Sequence, residues 1–309
     1  IAYPMRGAYP DRFMTGNGDG TFVDATASAG MVLAEPRPAY GVTWNDWDGD
    51  GDQDLLVSNY QLSANELWRN AGDGTFADVA ESVGFAFDAI GSRRPEYPGG
   101  HTYGGDFGDI DNDGDMDYYM CNLAHPRERP SSDPSLFLVN GGGPDYTMVD
   151  QRDALGPIYD EGDVNAAFGD YDNDGDLDLV IASLYPNHYS RIYRNDGPTG
   201  FTDVTYETNT AVHDAIEAVW VDLDEDGGVD LVISDRGGAP SVNVFMNRAA
   251  RGHWVELDLE GTTTNRDALG ARITLSAGGI ARIREVRASG GNGNTEHPRT
   301  VHFGLGDAT

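Results

Sequence analysis

The chain has 309 residues, 39% of them hydrophobic, with 41 glycines, which suits one large domain plus a small one and a loop-rich β protein rather than a helical one. No run approaches 18 apolar residues, so no spanning helix is expected, and the net charge of −32 excludes duplex DNA and anionic membranes as partners. All 20 basic residues are arginine, and the single cysteine, Cys121, can form no internal disulfide and reads as a small buried strand residue. No signal peptide is visible, yet the first residue is Ile1 rather than Met, which suggests a processed or trimmed N-terminus.

In chain order, residues 1–15 read as an N-terminal arm. The segment "GDGTFVDAT" (18–26) then reads as a turn and a short strand, and from there to residue 247 the chain repeats itself. Four acidic stretches mark the repeat: "DWDGDGDQDLLV" (46–57), "DIDNDGDMDYYM" (109–120), "DYDNDGDLDLVI" (170–181) and "DLDEDGGVDLVI" (222–233). Each has fixed company. Two residues ahead of the first Asp stands an aromatic (Trp44, Phe107, Phe168, Trp220), which marks a strand leading into the loop. The apolar run that follows is short and β-branched and reads as a buried strand. A third strand ends in Asn70, Asn140, Asn195 or Asn247, and a fourth follows, as in "GDGTFADVA" (72–80) and "GFTDVT" (200–205).

The expected architecture is therefore all-β, with four modules of four short strands in radial array, a β-propeller. The strand at Phe22 is expected to complete the last blade and close the ring; the alternative is a larger propeller of which this chain is a part. Residues 16–247 form the expected repeat domain. Residues 248–309 change character: "WVELDLEG", "RITLSAGG" and "ARIREVRASG" alternate as the antiparallel strands of a small sheet.

The acidic stretches have one chemistry in common. Positions 1, 3, 5 and 9 are aspartate in every copy: Asp46, Asp48, Asp50 and Asp54; Asp109, Asp111, Asp113 and Asp117; Asp170, Asp172, Asp174 and Asp178; Asp222, Asp224, Asp226 and Asp230. Calcium takes about 6–8 oxygens at about 2.3–2.6 Å, and alternate carboxylates on a tight loop can converge on one ion. Position 6 is always Gly (Gly51, Gly114, Gly175, Gly227), as a turn with positive φ requires. Position 7 varies, as expected where only its carbonyl is used. An EF-hand is rejected, because position 12 is Val57, Met120, Ile181 or Ile233 rather than Glu. A solvated acidic turn would not recur four times in one register. About four structural Ca²⁺ are expected, and they would leave the chain strongly acidic.

These loops with their "GDGTF" turns resemble the FG-GAP/VCBS repeat family, whose calcium-bearing propeller blades are related to those of integrin α subunits. The resemblance covers roughly residues 12–247 and implies one Ca²⁺ in each loop. The pieces "NRDALGARI" (265–273) and "HFGLG" (302–306) are similar to the ASPIC/UnbV domain of cartilage-acidic-protein-like proteins.

Structural ions leave function to the other rim, where long irregular segments lie on a rigid scaffold. Arg37, His101, Tyr103, His125, His188 and His213 are the candidate ligand-binding residues there, among further arginines and tyrosines. The favoured reading is an extracellular or cell-surface binding module for a glycan or protein. The alternatives are an enzyme of polysaccharide-lyase or cyclase type using the His/Tyr/Arg face, and a self-assembling subunit of a surface layer or fibre. No nucleophile motif, phosphate loop or cofactor fingerprint is present to favour an enzyme.

Overall fold

The computed structural model describes residues 10–87, 99–124, 134–158, 160–237, 241–248, 252–287 and 297–308. Among them, strands dominate and the helices are single turns. A hairpin of β1 (Met14–Gly16) and β2 (Phe22–Asp24) comes first. Three four-stranded antiparallel sheets follow: β3 (Ala39–Asn45), β4 (Asp54–Asn59), β5 (Glu66–Asn70) and β6 (Phe76–Asp78); β7 (Thr102–Gly108), β8 (Asp117–Asn122), β9 (Leu136–Asn140) and β10 (Met148–Asp150); β11 (Asp163–Gly169), β12 (Asp178–Ser183), β13 (Arg191–Asn195) and β14 (Phe201–Asp203). A three-stranded sheet holds β15 (Ala215–Val221), β16 (Asp230–Asp235) and β17 (Ser241–Phe245). The C-terminal unit pairs β18 (His253–Leu257) with β21 (Val301–Gly306), and β19 (Arg272–Ala277) with β20 (Ile280–Glu285).

The second strand of each sheet is an unbroken apolar run because both of its faces are covered. Side chains alternate across a strand, and the two faces go to different neighbours. Tyr118 and Met120 of β8 join Leu56 and Leu67 of the first sheet. Tyr119 and Cys121 of the same strand join Leu179 and Ile181 of the third. Val180 and Ala182 of β12 then face Leu231 and Ile233 of the fourth. The core is thus a series of layers between successive sheets, and Cys121 sits fully buried in one of them. The first strands of successive sheets are neighbours, β3 beside β7, β7 beside β11 and β11 beside β15.

The ends differ from the expected closure. Phe22–Asp24 pairs with Met14–Gly16, not with Ser241–Phe245, and the last sheet stays three-stranded. The reason is local. A turn held by the Asn17 amide on the Thr21 carbonyl (2.9 Å) folds β2 straight back on β1. Phe13 then packs on Phe76 and Trp44 of the first sheet (5.3 and 6.4 Å between ring centres). The described residues form a series of sheets without a closed ring.

Candidate metal centres

Each acidic loop joins the first and second strands of its sheet. Its turn needs two residues of positive φ. The Gly at position 6 supplies one, at 94°, 99°, 99° and 87° in the four loops. Position 4 supplies the other, with Gly49, Asn112, Asn173 and Glu225 at 58° to 69°, a region that Gly and Asn tolerate best. The turned loop folds its own amides onto the carboxylates. Asp170 and Asp222 accept the amides of Gly175 (2.9 Å) and Gly227 (2.7 Å).

The carboxylates converge. Asp46, Asp48 and Asp50 in the first loop, Asp109, Asp111 and Asp117 in the second, Asp170, Asp172 and Asp178 in the third, and Asp222, Asp224 and Asp230 in the fourth each bring one oxygen within 4.8 Å of the others. The first loop gathers its position 5 in place of position 9, and Arg69 lies against both Asp48 (2.6 Å) and Asp50 (3.7 Å). Asp54, Asp113, Asp174 and Asp226 lie in the same loops outside these groups. The last three turn an oxygen to the amide two residues on: Asp115, Asp176 and Gly228.

Two observations fit a hard cation to the first three of these sites. Buried oxygens of Asp46, Asp54, Asp109 and Asp170 have no hydrogen-bond partner, a costly arrangement without a counter-charge. Burial, with neighbouring aspartates adding to it, raises the carboxyls: Asp54 to about 8, Asp170 to about 7 and Asp109 to about 6. Asp117 and Asp178 are also raised, for the same cause. An all-carboxylate site with spare oxygens and uncompensated charge matches calcium or magnesium better than a softer metal.

The position-9 aspartates also hold the blade together. Asp54, Asp117, Asp178 and Asp230 accept the amides of Asn70, Asn140, Asn195 and Asn247 at 2.7 to 2.8 Å. Three of those asparagines, which the sequence showed only as strand ends, reach from one sheet to the one before it, while Asn70 donates to the Gln53 carbonyl in the loop of its own sheet (3.0 Å). Asn140 donates to the Trp47 carbonyl (3.2 Å), Asn195 to Ile110 (2.8 Å) and Asn247 to Tyr171 (2.6 Å). The acceptor is position 2 of the preceding acidic loop each time, so every loop is tied to the next.

Sequence reading missed what lies over the loops. The C-terminal unit sits on them. Arg272 donates to the carbonyls of Asp46 (3.2 Å) and Gly114, and Arg282 to Gly175 (2.8 Å) and Asp174 (3.3 Å). Glu285 accepts from Asn45 and Gln53, both at 2.7 Å. The Gly304 amide donates to Asp170 itself (2.9 Å). Ile283 enters the core layer of Trp47, Phe107 and Met116. Asp106 of β7 is wholly buried; burial alone would raise it, but Arg287 (2.6 Å) and His297 (3.1 Å) hold it below the usual range. A cavity of about 570 Å³ lies between the loops and this unit, walled by Phe168, Trp220, Trp254, Arg284 and His302 among others. The available signal was four arginines, Arg272, Arg282, Arg284 and Arg287, in one short stretch of a strongly acidic chain.

The opposite rim is less of a site than the sequence implied. Arg37 is engaged with the Ala64 carbonyl and Glu66, both at 3.2 Å. His101 is buried against Tyr60 (4.6 Å). Tyr103 stacks near Tyr40 (4.7 Å), and burial pushes its phenol up to about 12. His188 pairs with Asp160 (2.7 Å), and His213 is exposed, 3.1 Å from the His188 carbonyl. His125 lies outside the described residues. The described residues bring Tyr40, Tyr60, Tyr103 and His101 together and set His188 beside Asp160 and His213. Tyr185, which packs with Tyr60 and Tyr103 on Leu123, Val164 and Leu184, lies between them, 5.9 Å from His188.

Comparison with known proteins agrees with the repeat. The FG-GAP-like repeat family matches residues 46–120 and 170–233, and the ASPIC and UnbV family matches residues 261–309. Human cartilage acidic protein 1 is 32% identical over 180 residues, 56% of this chain and 24% of that protein. The Xenopus tropicalis protein of the same name is 27% identical over 304 residues, 93% of this chain and 43% of that protein. The chain thus spans less than half the length of these relatives. The Photorhabdus luminescens Tc holotoxin pore overlaps 79% of this chain and 10% of its own at 15% identity and a TM-score of 0.39, too remote to bear on function. The four turned acidic loops in register lie in the segments that match FG-GAP-like repeats, the last strands that rest on them lie in the segment that matches ASPIC and UnbV, and the chain is similar to part of the cartilage acidic proteins.

Proposed function

We propose that the protein is an extracellular, calcium-stabilised binding module. In this reading residues 16–247 form blades of a β-propeller behind a short arm (1–15), residues 248–309 form the ASPIC/UnbV unit, and each acidic loop takes one Ca²⁺. The observation that carries it is the convergence of three carboxylates in each of four loops. The ion would offset part of the loop's charge and fix its shape; the hydrogen bonds that the aspartates accept from backbone amides then set the strand ends.

Recognition is assigned to the rim opposite the loops, and its ligand to a glycan or an extracellular protein. Tyr40, 49% exposed and packed at a tilt against Tyr60 (4.8 Å) and Tyr103, offers the aromatic surface that sugar faces and peptide side chains use. The lyase or cyclase alternative draws less support, since His101 is buried and His188 is tied to Asp160. Retention of the calcium-loaded protein on immobilised neutral and anionic polysaccharides tests this, with soluble products assayed in the same incubations. Retention that weakens in Tyr40→Ala, without products, supports the module. Products that vanish in His188→Ala would establish the enzyme.

A further inference from the structure

The contacts between the C-terminal unit and the repeats are unusual in their choice of acceptors. Arg272, Arg282 and Arg284 donate to the loops' backbone carbonyls at Asp46, Gly114, Asp174 and Gly175, and Arg272 also lies 3.9 Å from the Asp46 carboxylate. The Gly306 amide donates to the Asn173 carbonyl (2.8 Å), again at the turn. Gly175 and Gly114 are the position-6 glycines, and Asn173 is the positive-φ residue at position 4. These carbonyls point at the arginines only while the loop keeps its turned shape. The loop keeps that shape only while its carboxylates stay together.

One contact is direct. Asp170 accepts both the Gly175 amide of its own loop and the Gly304 amide of β21 on the same oxygen, while its other oxygen is buried without a partner. A single carboxylate thus faces the loop interior on one side and the C-terminal unit on the other. The fourth loop has a counterpart. A Cβ on Gly227 would lie 1.9 Å from the Trp254 ring, so this loop's turn is packed directly under β18.

We infer that docking of the C-terminal unit and cation loading of the acidic loops form one coupled equilibrium, in which the unit reads the loaded shape of the loops. The inference rests on the calcium reading above. The sign of the coupling follows from comparing two effects. An ion in a loop weakens the attraction between that loop and the arginines. Each loop carries at least four aspartates, so a divalent ion leaves it negative and the attraction persists. Against that stands the loss of several hydrogen bonds from charged donors when the turn opens, each worth more than a neutral one. Loading therefore favours docking, and by linkage docking favours loading.

Hydrogen exchange on the full chain, with calcium or with a chelator, reads the coupling in one direction. Amides of β18 and β21 should be protected with calcium and exchange faster without it, and Trp254 fluorescence should shift as its packing on Gly227 is lost. Calcium calorimetry reads the other direction. Gly304→Ala, whose Cβ would lie 2.2 Å from the Asp170 carboxylate, should weaken calcium binding by roughly tenfold, within the usual range of coupling energies. Arg282→Gln gives the same reading through a milder change if the alanine variant does not fold. Calcium uptake with no change in β18–β21 exchange, and equal affinity in both variants, would overturn the coupling alone. No calcium uptake by the unaltered chain would overturn the calcium reading and this inference together.

Discussion

The two ends of the sheets teach opposite lessons about charge. At the loop end, aspartates are brought within 4.8 Å of one another, with buried oxygens that no group among the described residues satisfies. At the other end, charged groups are already partnered: Arg37 with Glu66, His188 and Arg191 with Asp160, Arg191 also with Asp203. The loop clusters hold more carboxylates than the arginines beside them, Arg69 on Asp48 and Asp50 and Arg248 on Asp224 and Asp226, can match. At the far rim the charges offset one another, and in the proposed reading recognition there falls to the exposed Tyr40. Counting residue types in the sequence does not separate these cases; their geometry does.

The comparison breaks most easily at the loops. Chelation should produce the largest effect. Each site filled at about 100 times its dissociation constant adds roughly 2.7 kcal/mol, so removing calcium should lower Tm steeply, and an unchanged melting curve would mean the loops stand without ions. Next comes the Asn195 link between sheets. Asn195→Ala leaves the carbonyls of Ile110 and Leu177 without their donor, at a cost of about 1–3 kcal/mol, measured by urea denaturation. Loss of less than half a kilocalorie would show that the sheets do not depend on it.

The pH dependence sharpens the same contrast. Burial raises Asp54 to about 8 and Asp170 to about 7 in the folded chain, above the usual carboxylate value. A raised folded pKa gives stability that is present at low pH and lost as pH rises through that value. The chelated protein should therefore be more stable near pH 5 than near pH 8. A cation must displace those protons, so calcium affinity should rise across about pH 6–8. Melting curves at both pH values, with and without calcium, check both signs. The smallest effect belongs to the other rim. Tyr40 is half exposed, and Tyr40→Ala should change stability by about half a kilocalorie or less while reducing ligand retention. A large loss of stability would make its role structural.

Much of this architecture was legible because the repeat states it four times. The aspartate spacing fixed the loops, the apolar runs fixed the second strands, and Asn70, Asn140, Asn195 and Asn247 marked the third strands' ends. The reach of the last three of those asparagines into the preceding loop was not legible, because a sequence alignment of repeats shows what each copy contains and not what it touches. The closing strand failed for a related reason: Phe22–Asp24 has the pattern of a fourth strand, but its own hairpin partner lies a few residues away. Arg282, Arg284 and Arg272 read as the polar positions of ordinary alternating strands. Only the fold puts them on the acidic loops. Which partners the far-rim histidines take, Tyr60 for His101 and Asp160 for His188, was likewise not legible, because those partners are distant in the chain.

The most direct test of the account is an anomalous difference map from crystals grown with calcium and exchanged with terbium. The account predicts four peaks, one among the converging aspartates of each loop. A map without peaks at the loops, from protein that remains folded, would contradict it.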